Sequence, residues 1–208
     1  MLYFGYNSMG CLSMNRVYVT LRKYGQMQLL SLRGVGVFLK KLVPDLHVAS
    51  VFDIDLAALK RRGVKGIITD LDNTLIEWDR PNATPALMDW LETVKEEGFQ
   101  VIVVSNNNQI RVSKFADPLG IPYIPRAKKP TRSPFREATK RLGLAYHETV
   151  VIGDQIFTDV LGGNRLGLYT ILVVPVAQTD GIYTRFNRQL ERLALSWMRK
   201  KGWITWED

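Results

Sequence analysis

Gly66-Ile67-Ile68-Thr69-Asp70-Leu71-Asp72-Asn73-Thr74-Leu75 sets two carboxylates two residues apart behind a short apolar run. The run reads as a buried strand, with the aspartates at its end. In extended backbone residues i and i+2 point to the same side, so Asp70 and Asp72 can converge on one reacting group just beyond a sheet. Two such carboxylates repel each other unless a cation lies between them. A divalent metal answers that need, and an anionic substrate would require it too.

Further along, the run Val101-Ile102-Val103-Val104 ends in Ser105-Asn106, and the cationic pair Lys128-Lys129 precedes Pro130. A third run, Val150-Val151-Ile152, ends in Gly153-Asp154, with Asp159 five residues later. Between these runs lie helical patterns near 84–97, 109–116, 133–142 and 157–165, followed by a strand over 170–174; Tyr123-Ile124 is a minor strand. Thr84 before Pro85 marks a helix start, and Gly167 a helix stop. Alternation of this kind predicts an α/β fold, a parallel sheet with helices on both faces. Ligands of such sheets bind beyond the carboxyl ends of the strands, where Asp70, Ser105 and Asp154 would meet.

This ordered set resembles the haloacid dehalogenase (HAD) superfamily of phosphotransferases. DLDNTL at 70–75 is similar to motif I, VVSNN at 103–107 to motif II, Lys129 in KKP to motif III and GDQIFTD at 153–159 to motif IV. The words GIITDLDNTLIEWDRP, AKKP and TDVLGGNRLG resemble the YqeG branch of subfamily IIIA, which is similar to mitochondrial and plastid phosphatidylglycerophosphate phosphatases. The resemblance covers residues 64–176 and implies a HAD-like Rossmannoid fold. It also implies roles. Asp70 would be the nucleophile, forming an aspartyl phosphate, and Asp72 the general acid and base. Aspartate at that second position, where phosphoenzyme-retaining relatives usually carry threonine, favours a phosphatase. Ser105 and Asn106 would hold phosphate oxygens with neighbouring amides, and Lys129 would supply a point charge, Lys128 being its alternate. Asp70, Asp154 and the backbone carbonyl of Asp72 would bind Mg²⁺; Asp159 would ligate through water or orient Lys129.

The segments between these motifs are too short for an independent cap domain, so the site should be open, suited to a phosphate carried on something large or set in a surface. Trp78 lies on a short flap after motif I.

Composition fits one globular domain: 208 residues, 46% hydrophobic. Cys11 is the only cysteine, so no internal disulfide forms, and His47 and His147 are too few and too separated to suggest zinc. An oxygen-rich site favours magnesium. No apolar run reaches bilayer-spanning length, and no convincing signal peptide is present; a cytoplasmic protein, peripheral on a membrane at most, is expected.

Net charge is +8, and residues 1–44 contain six cations without one acid. Residues 1–44 therefore read as a basic arm, unpatterned to about Gln26 and then helical from Met27, with Leu32, Val35, Leu39 and Val43 on one side, to Pro44. Residues 45–177 form the HAD-like core. Residues 178–208 hold a basic amphipathic helix and tail, with Ile182, Phe186, Leu190, Leu193 and Trp197 on one face and Arg185, Arg188, Arg192 and Arg199 opposite. That helix either packs on the core or lies on anionic lipid. Three functions follow: a capless Mg²⁺-dependent phosphatase of phosphatidylglycerophosphate; a phosphatase of soluble nucleotide, sugar or protein phosphates; or a nucleic-acid or ribosome-associated protein with a vestigial site. The complete motif set argues against the last.

Overall fold

The structure, a computed structural model, describes residues 18–23, 26–31, 39–177 and 182–204, with backbone alone for 18–23, 26–31 and 182–190. The chain divides into two compact units, residues 1–40 and 41–208.

In the first unit β1 (Tyr18–Lys23) pairs antiparallel with β2 (Gln26–Ser31), Tyr18 opposite Ser31 and Lys23 opposite Gln26. The helix expected from Met27 is therefore corrected: Met27 to Ser31 are strand. Polar and apolar residues alternate along Gln26-Met27-Gln28-Leu29, and that period of two suits a hairpin rather than a helix. Leu32 and Val35 lie outside the described residues, as do residues 1–17; Leu39 and Lys40 are helical.

The second unit holds a six-stranded parallel sheet. Its elements are β3 (Leu46–Val48), α1 (Leu56–Arg61), β4 (Gly66–Thr69), α2 (Pro85–Glu96), β5 (Gln100–Val104), α3 (Gln109–Ala116), β6 (Tyr123–Ile124), α4 (Arg132–Leu142) and β7 (Thr149–Gly153), followed by α5 (Leu161–Asn164), β8 (Tyr169–Val173) and α6 (Ile182–Lys200). A π-helical turn, Ile156–Val160, leads into α5. Strand order is β3-β8-β7-β4-β5-β6, so β4, which delivers the aspartate pair, sits between β5 and β7.

Both faces of the sheet are dry. Ile67, Val101, Val103, Val150 and Ile152 face a core closed by Leu87, Leu91 and Val94 of α2 and Phe115 of α3. Their neighbours Ile68, Ile102, Val104 and Val151 face a second core closed by Phe135, Ala138 and Leu142 of α4. The apolar runs are continuous because alternate residues serve opposite faces. Thr84 caps α2 as expected, its hydroxyl accepting from the Leu87 amide at 3.2 Å. From β4 to β5 the chain contains the flap and α2 and no separate domain.

Two expectations need revision. Edge strand β3 was not anticipated; three residues carry little periodicity, and the Asp45 carboxylate fixes them by accepting from the Thr170 amide at 2.8 Å. In α6 the expected apolar face is rotated. Leu193 is 68% exposed, whereas Glu191 and Met198 are buried and Ala194 and Leu195 half-buried, the i, i+3, i+4, i+7 spacing of one face. Arg192 and Arg199 are exposed, as expected, and Trp197 packs edge-on against Trp203 at 5.0 Å. The side chains of Ile182, Arg185, Phe186, Arg188 and Leu190 lie outside the described set.

Gly162 brings α5 against α4, since a Cβ there would run into the buried Phe135 ring. Gly162→Ala should cost about 1–3 kcal/mol of stability through overpacking, read as a lowered urea midpoint at unchanged m-value.

Candidate active site

Asp70 directly follows β4, and its amide donates to the Ile152 carbonyl at 2.9 Å, so β4 and β7 stay paired up to the carboxylate itself. Lys129 meets it from the loop after β6. Its Nζ lies 2.8 Å from Asp70 Oδ1 and 2.7 Å from Asp159 Oδ1, with the lysine side chain 2% exposed.

That loop is built for the purpose. Arg126 and Lys128 both adopt left-handed backbone, φ 48° and 58°, a conformation that L-residues pay for in strain. The turn is held against the segment after β5: the Arg126 amide donates to Asn107 O at 2.8 Å and the Ala127 amide to Ser105 O at 3.0 Å. Asn106 accepts from the Lys129 amide at 2.7 Å and donates to the Lys129 carbonyl at 3.3 Å. Its side-chain amide is thus spent on orienting the lysine loop. The result turns Lys128 to solvent and Lys129 inward. Ser105 is buried at the end of β5, its hydroxyl accepting from the Asn107 amide at 3.0 Å.

Asp72 is gripped from the other side. Asn107 Nδ2 donates to its Oδ2 at 3.0 Å, and Arg111 Nε donates to its Oδ1 at 3.0 Å. Arg111 also reaches the flap, Nη2 donating to the Glu77 carbonyl at 3.3 Å. Asp154 follows β7 and accepts from the Thr74 hydroxyl at 3.1 Å. Sequence reasoning missed Asn107, Arg111 and Thr74. Each is a polar residue within a few positions of a motif, but only the fold shows which carboxylate it faces. Glu191 was missed as well: from α6 its buried carboxylate accepts from the Ile156 amide at 2.7 Å, which fixes the start of the turn that carries Asp159.

The charges are strongly coupled. Burial opposes the Lys129 charge, but the Asp159 and Asp70 carboxylates outweigh it and raise its pKa, so it remains a cation. Burial pushes Asp159 up to about 6 against the pull of Lys129. Burial also raises Asp72, helped by the Asp70 charge and opposed by Asn107 and Arg111. Asp70, Asp154 and Asp159 each offer a carboxylate oxygen within 4.8 Å of the others, all three buried. Such an all-oxygen set fits a hard divalent cation and would not select zinc or copper. Asp159 Oδ1 is engaged by Lys129, and its Oδ2 by the Gln155 amide and the Thr158 hydroxyl at 3.3 and 3.1 Å.

Residues 78–167 match the family of haloacid dehalogenase-like hydrolases. The chain is 58% identical over 169 residues to "Probable phosphatase YqeG" of Bacillus subtilis, covering 81% of this chain and 98% of that protein. It belongs to the YqeG family of HAD phosphatases. This YqeG-family chain is also 31% identical to a chloroplastic/mitochondrial phosphatidylglycerophosphate phosphatase 1 of Arabidopsis thaliana, over 76% of its own length and 49% of the plant protein. Among solved structures, a HAD phosphatase from Thermococcus onnurineus is 15% identical, covering 57% of this chain and 90% of that one with a TM-score of 0.46. The YqeG-family protein is accordingly a phosphoric monoester hydrolase.

Lys129→Met would leave three buried carboxylates without their cation, and stability should fall by about 3–5 kcal/mol in EDTA. The sign of its pH dependence follows from the acids. Lys129 lowers the raised folded pKa of Asp159, so without it that value rises further above the unfolded one, the unfolded state binds fewer protons and stability drops as pH rises. Urea denaturation should therefore show a larger deficit at pH 8 than at pH 5.

Proposed function

We propose that the protein hydrolyses phosphatidylglycerophosphate to phosphatidylglycerol through an aspartyl-phosphate intermediate, with Mg²⁺ as cofactor. The observation that carries the chemistry is the division of labour between two aspartates two residues apart: Asp70 lies against a buried lysine, Asp72 against Asn107 and Arg111.

The Asp70 carboxylate attacks phosphorus, and the bond from phosphorus to the leaving alcohol breaks as Asp72 gives its proton to that oxygen. The raised pKa of Asp72 suits it to hold that proton. Asp72 then takes a proton from water, whose oxygen attacks phosphorus and releases phosphate from Asp70. Lys129 offsets the repulsion between nucleophile and substrate, and Ser105 with the following amides binds non-bridging oxygens. Asp70, Asp154 and the Asp72 carbonyl would hold Mg²⁺, which when bound neutralises charge on the transferring phosphoryl group. The engagement of both Asp159 oxygens favours its role as the residue that orients Lys129. The substrate assignment is supported by the likeness to the Arabidopsis phosphatase and by the short β4–β5 connection, which holds no inserted cap domain and so suits a phosphate on a bulky or surface-bound alcohol.

Phosphate release from micellar phosphatidylglycerophosphate tests this reading. Turnover should require Mg²⁺, vanish in EDTA and fail to return with Ca²⁺, whose looser coordination misplaces the attacking carboxylate. Full activity in EDTA after dialysis would exclude the metal. Asp70→Asn should abolish turnover with the fold intact, and Asp72→Asn should lower it by roughly 10²–10⁴.

Arg111→Ala removes an influence that lowers the Asp72 pKa, so the alkaline limb of kcat/KM should move to higher pH while its maximum falls. A pH–rate profile on glycerol 3-phosphate, an alkyl ester whose leaving alkoxide needs the proton, reads both; an unmoved limb would detach Arg111 from the acid.

A further inference from the structure

Exposed apolar side chains are unevenly distributed over the second unit. Eight large hydrophobics are exposed among the described residues, and single ones need no explanation. Their position does. Trp78 lies in the flap after β4, Ile110 in the first turn of α3, which follows β5, and Val174 and Val176 directly after β8, all at the carboxyl edge of the sheet that carries the site. Leu193 joins them, because Glu191, two residues before it, is bonded to Ile156 just past β7. Ile110 is 79% and Leu193 68% exposed. Tyr146, just ahead of β7, is at the opposite edge.

Cations occupy the same edge. The two left-handed residues Arg126 and Lys128 point to solvent on either side of the turn that sends Lys129 inward, and Arg192 is exposed beside Leu193. Among the described residues of the loops that follow β4 to β8, before the next helix begins, Asp79 is the exposed acid; the half-buried Glu77 is paired with Arg80 at 3.1 Å.

We infer that this catalytic edge is a docking face for an anionic phospholipid surface, with the mouth of the active site turned toward the lipid. Apolar residues alone would suit a protein partner, and cations alone any polyanion. Interleaved around one opening, they match a bilayer interface, where apolar side chains enter between headgroups and cations meet the negative surface potential. The net charge of +8 favours the same partner. The inference rests on the phospholipid reading of the site and refines it: the membrane meets the mouth itself, and α6 contributes its Arg192–Leu193 edge rather than a wholly basic face.

The test is co-sedimentation of the full chain with phosphatidylglycerol or phosphatidylcholine vesicles at low and high salt. Wild type should favour the anionic vesicles at least tenfold, and salt should weaken that preference. The triple variant Ile110→Ser, Val176→Ser, Leu193→Ser should lose at least tenfold in anionic-vesicle binding, whereas Tyr146→Ser should bind as wild type. The triple variant's ratio of turnover on vesicular phosphatidylglycerophosphate to turnover on p-nitrophenyl phosphate should fall by a similar factor. Because all three side chains are exposed, an unchanged urea midpoint is expected; Arg126→Gln with Lys128→Gln is the second variant and should also weaken binding. Equal binding to both vesicle types, wild-type binding by the triple variant, or an equal loss in Tyr146→Ser would overturn the docking face. Anionic-vesicle binding by a wild type that frees no phosphate from micellar substrate would support the face and overturn the substrate instead.

Discussion

The Lys129 ammonium, 2.8 Å from Asp70 and 2.7 Å from Asp159, is the interaction on which the site depends. Three buried carboxylates within 4.8 Å of one another cannot stay ionised in a dry interior without positive charge between them. The cation comes from a different segment than the acids, so β4, the loop after β6 and the turn after β7 must arrive in register. That requirement accounts for local features that are otherwise unfavourable. Arg126 and Lys128 accept left-handed backbone to deliver the lysine, and Gly153 has no side chain because a Cβ would strike Asp159. Strain and glycine both sit within a few residues of the charges they position.

Much of this was legible because the motifs coincide with strand ends. A run such as Val101-Ile102-Val103-Val104 can serve both faces of a sheet only when helices cover both, and a polar residue right after it is then at the carboxyl edge. Asp70, Ser105 and Asp154 follow from that logic without knowledge of contacts, whereas Lys129 was legible only through its resemblance to motif III. The partners that tune them do not. Asn107 and Arg111 look like parts of a polar helix start, and Arg111 does lie in the first turn of α3, its amide bonded to the Asn108 cap at 3.0 Å. Nothing in their spacing says that both side chains fold back to Asp72. The same limit explains the rotated face of α6: helical periodicity offers two nearly equivalent stripes, and the choice is made by one buried carboxylate reaching Ile156.

The proposed nucleophile and the proposed acid are supported by different parts of the fold. Asp70 is braced by β7 and Lys129, whereas Asp72 is braced by residues after β5 and, through Arg111, by the flap carbonyl of Glu77. The two carboxylates share a strand end and therefore cannot move independently in backbone, yet their side chains answer to separate networks. One lies against a buried ammonium; the other is held where burial favours the proton. A single Asp-x-Asp can thus serve the two proposed chemistries because the sheet places unlike neighbours on its two sides.

Glu191 extends that logic to the surface. Its carboxylate caps the first amide of the turn leading from Asp154 to Asp159, where the exposed N–H groups of a helix start carry partial positive charge. The next two residues of α6, Arg192 and Leu193, face solvent. One helical turn therefore holds the catalytic loop with its inner side and presents a cation and an apolar side chain with its outer side. Any force that shifts α6 at that turn acts on the loop through a 2.7 Å bond, with no flexible linker between. On the docking reading inferred above, the lipid surface against the mouth would help exclude water from the site, and α6 is the element that joins that outer surface to the acids.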